Sequence, residues 1–256
     1  MVQLKINNRI GIITLNREKS ANALNIQLLN ELNEIITEIN NNQEVNCVII
    51  TGQGDKVFSA GADLKERETM NDREVIETVK YIGETVNNIE QIKVPVIAAM
   101  NGSAFGGGLE LALACDIRIG REGIMVGLTE TSLAIIPGAG GTQRLTRLIG
   151  LGRAKQMIFT ADRVDAMNAY EYGILEEIFL KQDFLNQVIT YASRIIHNGP
   201  LALQLAKQAI NQGIDMNLKD GLNLEHEFYK KTITTEDRME GLKAFKEKRK
   251  PEYKGR

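Results

Sequence analysis

A chain of 256 residues, with 43% hydrophobic and 25% charged side chains, has ordinary globular usage and enough apolar mass for one large core plus an appendage. Its formal net charge of -2 gives no overall attraction to a phosphate backbone or an anionic lipid surface, so nucleic acid is disfavoured as a partner. The opening residues alternate instead of forming an apolar block behind a basic stretch, and the longest apolar run, residues 94–100, carries Pro95, so neither a secretion signal nor a membrane span is expected.

Val2, Leu4 and Ile6 alternate with polar residues, Asn7-Asn8 suits a left-handed turn, and Ile10, Ile12 and Thr14 resume the alternation, which predicts an N-terminal hairpin. From Asn25 the residues Leu28, Leu29, Leu32, Ile35, Ile36 and Ile39 recur at helical spacing, and the run 45–50 behind them has the character of a buried strand. The order then repeats: a helix over 73–89, a strand over 94–100, a glycine-rich turn, a short helix over 109–114 and a strand over 116–119. Strands separated by helices imply parallel pairing through crossovers. Beyond Pro137 helical patterns dominate, over 151–160, 165–172, 184–197, 201–212 and 218–232.

Three segments carry candidate chemistry. Phe58-Ser59-Ala60-Gly61-Ala62-Asp63-Leu64 follows a strand with small residues that let a ligand approach the backbone; alone it reads equally as a surface turn. Asn101-Gly102-Ser103-Ala104-Phe105-Gly106-Gly107-Gly108-Leu109-Glu110 leaves a strand and opens a helix, where free N–H groups and the helix dipole favour negative charge. Glycine costs about 1 kcal/mol per helical position relative to alanine, so three in a row point to required backbone approach. A phosphate loop would need Lys-Ser/Thr after the glycines, and a dinucleotide fingerprint would need glycine where Leu111 stands. An oxyanion hole, in which N–H groups from two loops hold an oxygen that becomes negative, fits better. Glu110 can reach back over such a site, or simply favour the helix dipole. The third segment, residues 127–144, sets Glu130 among apolar residues before another glycine-rich turn. Desolvation there raises a carboxyl pKa and permits proton donation near neutrality, against the plainer reading of a capping or salt-bridged glutamate.

Taken together and in this order, the three segments resemble the signature loops of the enoyl-CoA hydratase/isomerase, or crotonase, superfamily, and the similarity runs from the N-terminal hairpin to Glu240-Gly241-Leu242-Lys243-Ala244-Phe245 near the end. The resemblance implies an α/β fold, a crotonase-like β-β-α spiral core over residues 1–195 with the coenzyme-A-binding and catalytic loops. It implies a C-terminal helical trimerisation subdomain over 196–256, and a homotrimer or dimer of trimers. Carried over residue by residue, the N–H groups of Ala62 and Gly107 form the oxyanion hole for a thioester carbonyl, and Glu110 and Glu130 are the catalytic acids. Gly138 resembles the glycine whose N–H helps position the second carboxylate region. Ala21, Ala23, Leu24, Ala60, Asp63 and Leu64 match coenzyme-A-lining positions.

Two glutamates side with hydration of a 2-enoyl-CoA over Δ3,Δ2-enoyl-CoA isomerisation, which needs one. The run 58–67, with 108–116, is especially similar to the methylglutaconyl-CoA hydratase branch. No metal or redox cofactor is expected, coenzyme A entering as part of the substrate. Cys47 and Cys115 offer neither a disulfide framework nor metal-ligand spacing, which suits a reducing, cytoplasmic setting. His197 and His226 lie far from the signature loops with no triad partner, and neither Ser59 nor Ser103 has a G-x-S-x-G setting. Basic residues over 243–256 leave RNA binding as a non-enzymatic alternative, beside the plainer reading of a solvated terminal helix.

Overall fold

The computed structural model describes residues Met1–Arg256. The chain opens with a hairpin of β1 (Val2–Asn7) and β2 (Ile10–Leu15), joined by Asn8 and Arg9, both at positive φ. The turn therefore falls one residue later than the Asn-Asn pair suggests. The pairing of Asn7 with Ile10 leaves two residues to reverse the chain, and two left-handed residues match the twist of the flanking strands. Asn25 caps α1 (Ile26–Asn41) by accepting from the Leu28 N–H, and Leu28, Leu29, Leu32, Ile36 and Ile39 form its buried stripe.

Three cycles follow. Each lays one strand in a six-stranded sheet and the next in a four-stranded sheet: β3 (Cys47–Gly52) then β4 (Val57–Ser59), β5 (Val96–Met100) then β6 (Ser103–Phe105), β7 (Ile117–Arg121) then β8 (Met125–Gly127). Between the first two cycles run α2 (Leu64–Arg67) and α3 (Asp72–Glu90), the latter opened by a reciprocal Asn71–Glu74 capping box. Between the second and third runs α4 (Gly107–Leu113). The large sheet has the order β1-β2-β3-β5-β7-β10 and is parallel from β2 onward; β4, β6 and β8 pair in parallel in the small one.

β3 and β5 are buried on both faces, which is why they read as unbroken apolar runs. Val48, Ile50, Val96, Ala98 and Met100 point into the main core, whereas Cys47, Ile49, Ile97 and Ala99 point to a smaller cluster under Phe184, Val188 and Ala192.

Past the third cycle come α5 (Gly141–Ile149), α6 (Leu151–Thr160), the short β9 (Val164–Asp165), α7 (Ala166–Tyr172), β10 (Glu177–Phe179) and α8 (Phe184–Ile196). α8 lies on the large sheet and supplies the cover for its second face. α9 (Pro200–Gly213), α10 (Leu218–Ile233) and α11 (Glu236–Glu247) complete the chain, and Lys207 of α9 ties them back to the core through Asp116 at 2.8 Å. The last basic stretch is only partly helical: α11 stops at Glu247, and Lys248 takes a left-handed conformation. No helix is long and apolar enough to cross a membrane.

Candidate active site

Parallel pairing puts the C-terminal ends of β4, β6 and β8 on one edge of the small sheet, so the segments leaving them converge. Ala62 leaves β4, Gly107 and Glu110 leave β6, and Glu130 leaves β8. Topology alone thus gathers residues that are far apart in sequence.

The first two segments approach so closely that side chains are excluded. A Cβ on Gly108 would stand 2.1 Å from the Ser59 carbonyl oxygen, and one on Gly61, at φ +88°, would stand 2.7 Å from the Gly107 nitrogen. On the other side of this contact, the Leu24 N–H donates to the Gly61 carbonyl at 2.8 Å and the Asp63 N–H donates to the Leu24 carbonyl at 3.1 Å. In such a parallel bridge the residue between, Ala62, directs its own N–H away from Leu24. Gly107 is the first residue of α4, where an N–H has no partner inside the helix. Neither N–H is taken by a loop, cap or side-chain acceptor, and the Ala62 nitrogen lies 3.5 Å from the Cβ position of Gly107. Two neighbouring free donors result.

Glu110 sits one turn into α4 and is 3% exposed. Its Oε1 accepts from the Ala139 N–H at 2.8 Å and the Gly141 N–H at 2.7 Å. Gly141 begins α5, so the carboxylate also faces a helix N-terminus. Burial pushes the Glu110 pKa up, while the two N–H groups and the Arg144 charge oppose the rise. Arg144 also braces the loop, donating to the Ala139 carbonyl at 3.2 Å while paired with Glu90 at 2.6 Å.

Glu130 opens a single 3-10 turn, Glu130–Leu133. Burial, and then the negative charge of Glu110, push its pKa up to about 7. Its Oε2 is buried with no hydrogen-bond partner, an uncommon condition for a carboxyl oxygen.

Both carboxyls line one cavity of about 680 Å³, within the range of small-molecule sites. Val75, Ile76, Val79 and Ile82 of α3 form one wall, and Leu133, Ile135 and Ile136 another. Ile76 and Ile136 remain 69% and 71% exposed at the mouth, an apolar rim with nothing of this chain against it.

Of the residues singled out in the sequence, Ala60, Ala62, Leu64, Gly107, Glu110, Glu130 and Gly138 all line this cavity. Ala21, Ala23, Leu24 and Asp63 do not. Ala21 and Leu24 support the loop by backbone pairing with Ala60, Gly61 and Asp63. The Asp63 carboxylate is held by Arg17 at 2.8 Å and caps α2, so its side chain has a structural engagement. The donors that hold a carboxylate are Ala139 and Gly141, not Gly138, and the acid they hold is Glu110. Reading the sequence missed Arg67, Arg144 and the α3 wall. The glycine-rich turn was visible, but which of its N–H groups point inward is a tertiary fact.

Backbone donors and two carboxyls meeting at one strand edge define an α/β enzyme. The chain belongs to the enoyl-CoA hydratase/isomerase family, whose pattern it matches over residues 5–256, and its fold is the crotonase fold. It is similar to the crystal structure of the enoyl-CoA hydratase from Bacillus anthracis, with 51% identity, a TM-score of 0.98, and 100% of this chain and 99% of that one covered. It is 44% identical to the mitochondrial methylglutaconyl-CoA hydratase of Mus musculus, over 97% of this chain and 81% of that protein. It is 42% identical to the short-chain-enoyl-CoA hydratase of Clostridium acetobutylicum, over 98% and 96%.

Proposed function

We propose that the protein adds water in the syn sense across the double bond of a 2-enoyl-CoA, giving the 3-hydroxyacyl-CoA. The observation that carries this reading is the pair of glutamates on separate segments, α4 and the 3-10 turn after β8, both lining the cavity that holds the free Ala62 and Gly107 N–H groups. The thioester carbonyl accepts from those two donors, which lowers the energy of the enolate-like transition state; loss of one such donor typically costs about 3 kcal/mol. Glu110, its Oε1 fixed by two N–H groups, takes a proton from water with its other oxygen as the hydroxyl adds to the β carbon. Glu130 delivers a proton to the α carbon. One turnover leaves Glu110 protonated and Glu130 ionised, and proton exchange with solvent resets the pair. Coenzyme A enters as part of the substrate, and the chain's own groups carry both protons.

Relatives at 44% and 42% identity are named for methylglutaconyl-CoA and for short-chain enoyl-CoA, so the deciding experiment is a hydration panel spanning both. Formation of 3-hydroxyacyl-CoA from at least one member, with no added metal or nucleotide, is expected. Its absence across the panel with folded protein overturns the reading. Double-bond migration in place of hydration favours the isomerase alternative.

A homotrimer or dimer of trimers is part of this proposal. Ile210, Tyr229 and Leu242 of α9, α10 and α11 are exposed and line an apolar groove of about 710 Å³ that shares no residue with the glutamate cavity, and Leu222 and Phe245 are exposed on the same helices. A monomeric mass by light scattering at micromolar concentration contradicts it.

A further inference from the structure

Hydration accounts for most of the cavity wall: two acids, two free N–H groups and apolar surface from α3 and residues 133–136. It leaves Arg67 unexplained. This residue ends α2, five positions after the Ala62 donor, and it is the only basic side chain among those lining the cavity. The other cations half-buried or buried against carboxylates are each paired: Arg17 with Asp63, Arg118 with Glu176, Arg144 with Glu90 and Lys207 with Asp116. Arg67, also half-buried, has no hydrogen bond and no ion pair from its guanidinium. Its charge is felt by Glu130 across the cavity, yet the two do not bond.

A guanidinium set beside Val75, Ile76 and Val79 gives up part of its hydration without a partner in return, an arrangement that becomes favourable once a ligand supplies the anion. Its planar fork matches a carboxylate in two parallel hydrogen bonds. The demand for such a cation is specific, because Glu110 and Glu130 would otherwise repel an acidic tail from this space. Arg67 lines the same cavity as the Ala62 and Gly107 donors and both glutamates, so an acyl group whose thioester carbonyl meets those donors shares its space with the guanidinium.

We propose that Arg67 is a specificity-determining residue that selects an acyl group bearing a carboxylate at its distal end, so that the substrate class is a short dicarboxylic mono-CoA thioester. The proposal rests on the assignment of this cavity as the acyl site, and its test is separable from hydration. Glutaryl-CoA and hexanoyl-CoA are saturated, similar in length and cannot be hydrated, so calorimetric titration reads binding alone. Wild-type protein is expected to bind glutaryl-CoA about tenfold more tightly or better, and Arg67→Met to erase that preference. Arg67→Lys, which keeps the charge but loses the fork, should retain part of it. Equal or weaker binding of glutaryl-CoA by the wild type overturns the proposal, as does a preference ratio that Arg67→Met leaves unaltered. An equal loss for both ligands in Arg67→Met also overturns it, since Arg67 would then serve coenzyme A itself. Turnover of pent-2-enedioyl-CoA and hex-2-enoyl-CoA is measured alongside. Arg67-dependent glutaryl-CoA binding with neither of these compounds nor any other member of the panel hydrated would sink the hydratase reading and leave the ligand class standing.

Discussion

Glu110 and Glu130 face one cavity and are held in opposite ways. Glu110 is in a helix, 3% exposed, with Oε1 fixed by two N–H groups at a helix N-terminus. Glu130 is on one turn of 3-10 helix with a buried oxygen that nothing in the chain satisfies. Burial raises the pKa of both; at Glu110 two donated hydrogen bonds and the Arg144 charge oppose the rise, whereas at Glu130 the negative charge of Glu110 adds to it. The same residue type is thereby divided between two tasks: Glu110 is fitted to take a proton, and Glu130, with its pKa pushed up to about 7, to give one.

Removing each charge at constant size tests this difference most severely. Glu110→Gln and Glu130→Gln should each lower kcat by about 100-fold or more, with much smaller changes in KM, because general acid-base transfer is lost while cavity shape is kept. The comparison fails if Glu110→Gln hydrates nearly normally while Glu130→Gln is inactive. Glu110 would then not activate water, and a single-carboxylate isomerase would gain; double-bond migration assayed on the same variants separates the two.

A change that touches one acid only should have a smaller effect. Arg144 contributes positive charge to Glu110 and braces the Ala139 carbonyl, but its influence is not felt at Glu130. In Arg144→Met the Glu110 pKa should rise, moving the acidic limb of the kcat/KM profile to higher pH. A displacement of one unit is about a tenfold loss on the acid side. The basic limb should stay in place. A uniform loss at every pH would mean that Arg144 only holds the fold.

Much of the core was legible because its physics is local. The apolar runs of β3 and β5 and the stripe on α1 follow directly from two-sided burial and helical period. The small sheet was not legible: β4, β6 and β8 are three residues each, too short to set a period, and they exist because the spiral brings them together. In the site, the glycine run was visible as an anomaly, and the close approach at Gly108 explains it. The Ala139 and Gly141 donors carry no side-chain signature, so their engagement of Glu110 could not be read from composition. The engagement of the Asp63 carboxylate by Arg17 and by the cap of α2 was likewise not legible, since it joins residues 46 positions apart. Arg67 lay inside a quoted motif, yet only the folded chain shows it without an acidic partner.

Desolvation of Glu130 also acts, more weakly, on the stability of the fold. Its carboxyl holds a proton to about pH 7 in the folded protein, against an ordinary value of 4.5. The folded state therefore binds the proton more tightly than the unfolded chain. The stability associated with this group is fully present below about pH 4.5 and is lost as pH rises through about 7. The whole shift would correspond to about 3 kcal/mol, but solvent reaches part of the segment, which reduces the expected effect to about 1 kcal/mol. Glutamine has no charge to desolvate, so Glu130→Gln should be more stable than the wild type at pH 8 by about that amount, with the gap closing near pH 4.5. Urea unfolding of both proteins at matched concentration, at pH 5 and pH 8, checks this, because the other titrating groups cancel in the difference. Wild-type hydration should fall only above about pH 7, where the gap has reached its full size and the proton-donating form of Glu130 runs out. A stability gap independent of pH would show that burial does not hold the Glu130 proton, and the division of labour between the two acids would then lose its physical cause.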